Sequence, residues 1–213
     1  MEAYLDNSAT TRVDAQVQEL MKKLMDVDFG NPSSRHQKGV VAEGYIKEAR
    51  QKIAATLKVD PKEFIITSGG TESNNMALIG TALAAKRKGN HIITTAVEHP
   101  SVKATASFLE EQGFRITFLS VDSRGQISLE ELKEALTPDT ILVSIMYVNN
   151  EIGTIQPIEE AAKLVHATVP GAVFHVDAIQ AYGKVMIRPK QQGIDLLSVS
   201  SHKFHGPKGA GFL

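Results

Sequence analysis

Residues 64–83 have the sequence FIITSGGTESNNMALIGTAL. A short apolar run is followed by a glycine-rich turn and then by apolar residues at helical spacing. Further short apolar runs occur along the chain, and helical patterns lie between them. This alternation favours a mostly parallel sheet whose strands are buried by helices on both faces. The sequence therefore predicts an α/β fold.

The predicted strands are six short apolar runs, at residues 64–67, 91–95, 115–119, 141–145, 172–176 and 196–199. Predicted helices lie between them at residues 74–88, 101–112 and 158–168, and a further helix begins at Ser128 and ends at Pro138. Before the first strand, helices are predicted at residues 14–26 and 40–57. The polar start, residues 6–11, is predicted to be an irregular arm that packs outside the sheet. We expect an arm at residues 1–15 and one domain at residues 16–213.

Composition excludes several classes of function. The net charge of -1 gives no electrostatic reason to bind nucleic acid or an anionic membrane. No stretch is long and apolar enough to span a bilayer, and the acidic start does not resemble a signal peptide, so a cytoplasmic location is expected. The chain has 0 cysteines, which excludes disulfides, thiolate metal sites and a cysteine nucleophile supplied by these residues.

The glycine-rich turn, TSGGTESNN at residues 67–75, has the properties of a phosphate site. Gly69 and Gly70 allow the backbone to approach a ligand, the helix that follows directs free N–H groups toward it, and Thr71 adds a hydroxyl donor. The dinucleotide and nucleoside-triphosphate fingerprints do not fit, so a cofactor with one phosphate is favoured. An ordinary strand-to-helix turn is the alternative.

Polar residues follow three other predicted strands, where open α/β sheets bind ligands. His99 could stack on a flat aromatic ring, or it could cap a helix. Asp177, followed by Gln180, could pair with a protonated pyridine nitrogen, because a buried acid is costly without a cationic partner; capping the next helix is the alternative. Asn149 could bind a ring oxygen or a substrate carboxylate, or it could form a turn.

Lys203 completes this set of strand-end residues. It follows the sixth predicted strand in the run SSHKFHGPKG, residues 200–209, where Ser200 and His202 are further candidate phosphate donors. A lysine in this position could hold an aldehyde cofactor as a Schiff base, whereas a solvated surface lysine is the alternative.

These residues resemble cysteine desulfurases of the NifS/IscS type, within the class V aminotransferase group. The matching stretches are 6–11 (DNSATT), 30–34 (GNPSS) with His36, 67–75 (TSGGTESNN), 98–99 (EH), 149–158 (NNEIGTIQPI), 175–180 (HVDAIQ) and 201–209 (SHKFHGPKG).

The resemblance implies pyridoxal 5′-phosphate (PLP) in the large domain of a type I PLP-dependent enzyme. Lys203 would be the Schiff-base lysine and general base, Asp177 would pair with the pyridine nitrogen, and Gln180 with the ring hydroxyl. His99 would stack on the ring, and Asn149 would lie near the ring hydroxyl and the substrate carboxylate. The remaining cofactor residues would hold the phosphate, namely Gly70, Thr71, Ser200 and His202.

The implied reaction converts L-cysteine to L-alanine and passes the sulfur on as a persulfide for iron–sulfur cluster or thio-cofactor synthesis. The implied partners are a second copy of the chain, in a homodimer, and an iron–sulfur scaffold or sulfur-acceptor protein. In the family, the sulfur-accepting cysteine, a substrate-binding arginine and a smaller C-terminal domain all follow the lysine, and residues 209–213 resemble the start of the last, antiparallel strand. We therefore expect a truncated chain that is inactive alone. The alternatives are a PLP-binding or interaction module, and another class V enzyme such as an aminotransferase or selenocysteine lyase.

Overall fold

Five parallel strands form the centre of the sheet in the computed structural model, which describes residues 3–213. These strands are β2 (His91–Thr95), β3 (Arg115–Leu119), β4 (Thr140–Met146), β5 (Val173–Asp177) and β6 (Leu196–Ser200). All of them lie within one residue of their predicted bounds. The predicted α/β fold class is confirmed.

Two short strands complete one edge of the sheet. β1 (Ile66–Thr67) and β7 (Gly211–Phe212) pair antiparallel, and β7 also pairs antiparallel with β6, which gives the order β1-β7-β6-β5-β4-β2-β3. The antiparallel strand expected within residues 209–213 is therefore confirmed. The first predicted strand, residues 64–67, is shorter than expected: β1 comprises Ile66 and Thr67, and Ile65 before it exchanges two backbone hydrogen bonds with Leu213.

The helices are α1 (Ala15–Asp26), α2 (Gln37–Leu57), α3 (Gly70–Ala85), α4 (Pro100–Glu111), α5 (Leu129–Ala135), α6 (Ile158–Thr168) and the short α7 (Pro189–Gln192). The largest correction concerns α3, which was predicted at residues 74–88. Gly69 has φ 151° and ψ -172°, a conformation that essentially only glycine adopts, so the turn is completed in one residue and the helix begins at Gly70. The glycine-rich turn therefore overlaps the first turn of α3.

Apolar residues of β4 and β5 lie at the centre of the core, packed by helices on both faces. A series of side-chain hydrogen bonds crosses this core. His175 on β5 contacts Ser144 Oγ on β4 at 2.8 Å and Ser198 Oγ on β6 at 2.9 Å. Burial lowers the pKa of His175 to about 3, so the ring is neutral in the folded protein. These hydrogen bonds connect β4, β5 and β6 at His175, two residues before Asp177.

None of the helices within residues 3–213 is long and apolar enough to cross a membrane.

Candidate active site

A cavity of about 510 Å³ lies at the carboxyl ends of the central strands. Strands β2, β4, β5 and β6 end beside this cavity, and helix α3 begins beside it. Eight of the nine predicted site residues line it: Gly70, Thr71, His99, Asp177, Gln180, Ser200, His202 and Lys203. These eight residues come from four separate sequence segments, which the parallel sheet brings together at one edge.

Asp177, the last residue of β5, presents a buried carboxyl group to this cavity. Its side chain is 4% exposed, and its oxygens accept hydrogen bonds from uncharged donors, the Ile179 backbone N–H at 3.0 Å and Asn74 Nδ2 at 2.8 Å. Burial raises the pKa of Asp177, whereas these hydrogen bonds and the charges of His99 and Lys203 lower it. A buried carboxylate in this position is suited to a cation inside the cavity.

Lys203 follows β6 in a 3₁₀ turn and is partly buried. Its Nζ donates to the backbone carbonyl of Ser8 and, at 2.8 Å, to that of Ala9. Burial lowers the pKa of Lys203, the nearby Lys184 lowers it further, and the carboxylates of Asp6 and Asp177 raise it. The alternative of a freely solvated surface lysine does not match this placement.

His99 lines the cavity and also caps α4. Its Nδ1 accepts the backbone N–H of Ser101 at 3.1 Å and contacts Ser101 Oγ at 2.8 Å. Because Nδ1 accepts this hydrogen bond, the ring N–H of His99 is at Nε2. The helix-cap alternative is therefore correct, but it does not exclude a place beside a ligand, and capping fixes the ring orientation.

The start of α3 has free backbone donors of the kind that a phosphate site requires. Gly69, the N-cap residue, has no side chain to bond the first N–H groups of the helix, and these groups are unpaired within any α-helix. Gly70, Thr71, Ser200 and His202 line the cavity at this point. A Cβ at Gly70 would lie 2.1 Å from Ile179 Cδ1, so a larger residue here would force the end of the Ile179 side chain to move.

Asn149 is the one predicted site residue that does not line the cavity. Its side chain is 5% exposed, its Oδ1 accepts the backbone N–H groups of Glu151 and Ile152, and its Nδ2 donates to the Val97 carbonyl. The amide thus holds the 149–155 loop against the end of β2, as the turn alternative predicts. Its role beside a ring hydroxyl or a substrate carboxylate stays a prediction.

Several residues of the site were not predicted. Asn74 donates to Asp177 and, at 3.0 Å, to Ser101 Oγ, and so connects the acid to the His99 cap. Asn74 lies inside the 67–75 motif, but only the helical start at Gly70 turns it toward β5. The arm was expected to pack outside the sheet, but its place beside the cavity was not predicted: Asp6, Ser8 and Ala9 line it.

Glu98 is a second buried acid near Asp177. It is 3% exposed, its Oε1 accepts Thr95 Oγ1 at 2.9 Å and the Met146 backbone N–H at 2.8 Å, and within residues 3–213 its Oε2 has no hydrogen-bond partner. Burial raises the pKa of Glu98 to about 8, and the charge of Asp177 adds to the rise. The neutral acid is the form that this environment favours at neutral pH.

Comparison with known proteins agrees with this geometry. The sequence pattern of the family described as "Aminotransferase class-V" matches residues 3–213. Cysteine desulfurase IscS of Dictyoglomus turgidum is 50% identical over 212 residues, which are 100% of this chain and 53% of the relative. The chain therefore spans about half the length of the curated relatives it matches.

Two solved structures share the fold. A structure described as a "NIFS-LIKE PROTEIN" has a TM-score of 0.97 and 43% identity, over 100% of this chain and 58% of its own. A second, "SspA in complex with cysteine", has a TM-score of 0.95 and 41% identity, over 99% of this chain and 60% of its own. The family match extends over nearly the whole of this chain, and the solved structures share its arrangement of strands and helices. The chain belongs to the class V aminotransferase family, and curated relatives about 50% identical to it are cysteine desulfurases of the IscS type.

Proposed function

We propose that this chain carries the cofactor-binding part of a PLP-dependent cysteine desulfurase. One observation carries the proposal: the Lys203 amine and the buried Asp177 carboxyl group line the same cavity, together with the uncapped start of α3. An amine, an acid and an anion site are the groups needed to hold an aldehyde with a basic ring nitrogen and one phosphate. The cavity volume of about 510 Å³ lies within the ordinary range for small-ligand sites.

The residues present fit pyridoxal 5′-phosphate, which when bound supplies an electron sink for chemistry at the α-carbon of an amino acid. Asp177 would hold the proton on the pyridine nitrogen, and the positive charge of the ring would counteract the effect of burial, which raises the pKa of Asp177. His99 would cover one face of the ring. The phosphate would lie at the start of α3, against Gly70 and Thr71, where Ser200 and His202 add donors.

Lys203 would hold the cofactor and, once free, act as the general base that moves the substrate α-proton. Burial and Lys184 lower the pKa of Lys203, which increases the fraction of neutral amine available to accept that proton. Gln180 would face the ring hydroxyl, and its amide is oriented by Lys184, whose Nζ lies 3.3 Å from Gln180 Oε1.

L-cysteine is the substrate that the resemblance supports, and a solved relative of 41% identity is described as a complex with cysteine. Conversion to L-alanine requires a thiolate that takes the sulfur. Because these 213 residues contain 0 cysteines, that thiolate has to come from outside them. The homodimer, the sulfur-acceptor protein and the cytoplasmic location are further predictions of the resemblance.

The cofactor proposal is tested by adding PLP, reducing with borohydride and mapping the labelled peptide. We expect label on Lys203 in the wild-type chain and in Lys208→Ala, which removes an exposed lysine from the same loop. Lys203→Ala should carry no specific label. Label on other lysines, with Lys203 unmodified, would refute the assignment.

A PLP-binding module without catalysis of its own is the second candidate, and the absence of cysteine from the chain favours it. Cysteine added to the PLP-loaded chain distinguishes the candidates. Enzyme-like release of sulfide would exclude the module, and a keto acid product would indicate an aminotransferase instead.

A further inference from the structure

The polar segment DNSATT, residues 6–11, is a matching motif to which the proposed function gives no role. The structure places it over the cavity. Asp6, Ser8 and Ala9 contribute to the cavity wall, although they are about 190 residues from Lys203 in sequence. Asp6 closes a local turn, because its Oδ1 accepts Ser8 Oγ at 3.1 Å and the Ala9 N–H at 3.2 Å.

The turn directs two backbone carbonyl groups at the amine of Lys203. Both the Ser8 and the Ala9 carbonyl accept from Nζ, and the Ser8 carbonyl also accepts Gln180 Nε2 at 2.8 Å. A lysine side chain has four rotatable bonds, and fixing it costs about 2 kcal/mol of rotamer entropy. Two acceptors at fixed positions therefore select one conformation of Lys203.

Thr11 attaches the arm to the loop that carries Lys203. It is 8% exposed, and its backbone N–H and its Oγ1 both donate to the His202 carbonyl, at 2.8 and 2.9 Å. Its Oγ1 also accepts the His205 N–H at 2.7 Å. The hydroxyl of Thr11 thus holds both ends of the segment that contains Lys203.

The contact continues beyond Thr11. His205 Nδ1 contacts the Arg12 carbonyl at 3.0 Å, and the Asp14 N–H donates to the His205 carbonyl at 2.9 Å. His205 has φ 68°, which is uncommon for a residue other than glycine and costs about 1 kcal/mol or more. The hydrogen bonds to the arm offset this cost.

We propose that the N-terminal arm is part of the candidate active site and that Thr11 is a positioning residue, which holds the Ser8 and Ala9 carbonyl groups at the Lys203 amine. The proposal rests on the proposed function of Lys203. The charged and titratable groups that face the amine are Lys184, His202, Asp6 and Asp177. None of these is changed by a substitution at Thr11, so a change in Lys203 reactivity reports on the arm.

The test compares Thr11→Val, which keeps the shape of the side chain but removes the hydroxyl, with Thr11→Ser, which keeps the hydroxyl. An amine-reactive acetylating reagent is applied to the full chain without PLP, and modification of Lys203 is measured by mass spectrometry relative to the exposed Lys208. Loss of the hydroxyl bonds should increase the open population of the arm, and therefore the Lys203/Lys208 ratio, about tenfold. Thr11→Ser should stay within about twofold of wild type.

Equal ratios in the wild type and Thr11→Val would overturn the proposal. A merely destabilised fold would raise Lys203 labelling only in proportion to the unfolded fraction, which urea denaturation of the same variants measures, whereas release of the arm raises it beyond that fraction. Should Thr11→Val not fold, a chain lacking residues 1–9 removes both carbonyl groups and keeps Thr11, and Asp6→Asn in the full chain accounts for the charge of Asp6 that the deletion also removes. The shortened chain should label Lys203 at a rate close to that of Lys208, and unchanged protection would again contradict the proposal. Because PLP is absent, the outcome is independent of the borohydride experiment.

Discussion

The buried carboxyl group of Glu98 gives the sharpest test of the electrostatics beside the cavity. Glu98→Gln removes the ionisable proton and changes the shape of the side chain very little. The amide oxygen can still accept Thr95 Oγ1 and the Met146 N–H, as Oε1 does. The amide nitrogen takes the place of Oε2, where a neutral acid would carry its proton. The variant is therefore a permanent mimic of protonated Glu98.

The pKa of Glu98 is about 8 in the folded protein, against an ordinary value of 4.5 that the unfolded chain retains. Between these values the folded state keeps the proton that the unfolded state loses. The stability contributed by the neutral acid is thus complete below pH 4.5 and is lost as the pH rises toward 8. The slope is about 1.4 kcal/mol per pH unit, and the total is about 4–5 kcal/mol, a large part of the stability of a typical domain.

Urea denaturation of both proteins, at intervals from pH 5 to pH 9, measures the effect. The free energy of unfolding of Glu98→Gln minus that of wild type should become more positive by about 1 kcal/mol or more per pH unit and level off above about pH 8. Glu134→Gln, at an exposed position on α5, is the matched control for removing one carboxylate from the surface. A difference between Glu98→Gln and wild type that stays constant over this range, or that falls with pH, would show that Glu98 is ionised in the folded protein.

Three further predictions concern the cavity itself. Asp177→Asn should weaken PLP binding about 10- to 100-fold, measured by absorbance titration, because the amide cannot compensate a ring cation; unchanged affinity would contradict the pairing. Gly70→Ala should lower the free energy of unfolding by about 1–3 kcal/mol in urea, and the double variant with Ile179→Val, which lacks Cδ1, should recover most of the loss; no recovery would mean that another contact causes it. Lys184→Met should shift the acetylation of Lys203 to higher pH, since Lys184 lowers the pKa of Lys203, whereas Lys184→Arg, which keeps the charge, should not; equal shifts would exclude an effect of charge.

The sequence by itself determined the fold class and most of the chemical groups of the site. The central strands were readable because both faces of a parallel strand are buried, which makes each one a short apolar run bounded by turn residues. The sequence also predicted that His99, Asp177 and Lys203 lie at the same edge of the sheet. Each of them comes within a few residues of the end of such a run, and parallel strands have their carboxyl ends at one edge. Each of these motifs is a short continuous stretch of residues, so it can be recognised from the sequence without the tertiary structure.

Only the tertiary structure decided how these groups are held. The arm gives no periodic signal, and its contacts with Lys203 join residues separated by about 190 positions. Asn149 has a residue type and a position suited to a ligand, yet its amide is used by its own loop. Glu98 is one residue from His99, and nothing in the sequence indicates that its carboxyl group is buried against β4. Hydrogen-bond partners and burial depend on which segments meet in space, and the chain order of the residues does not specify that.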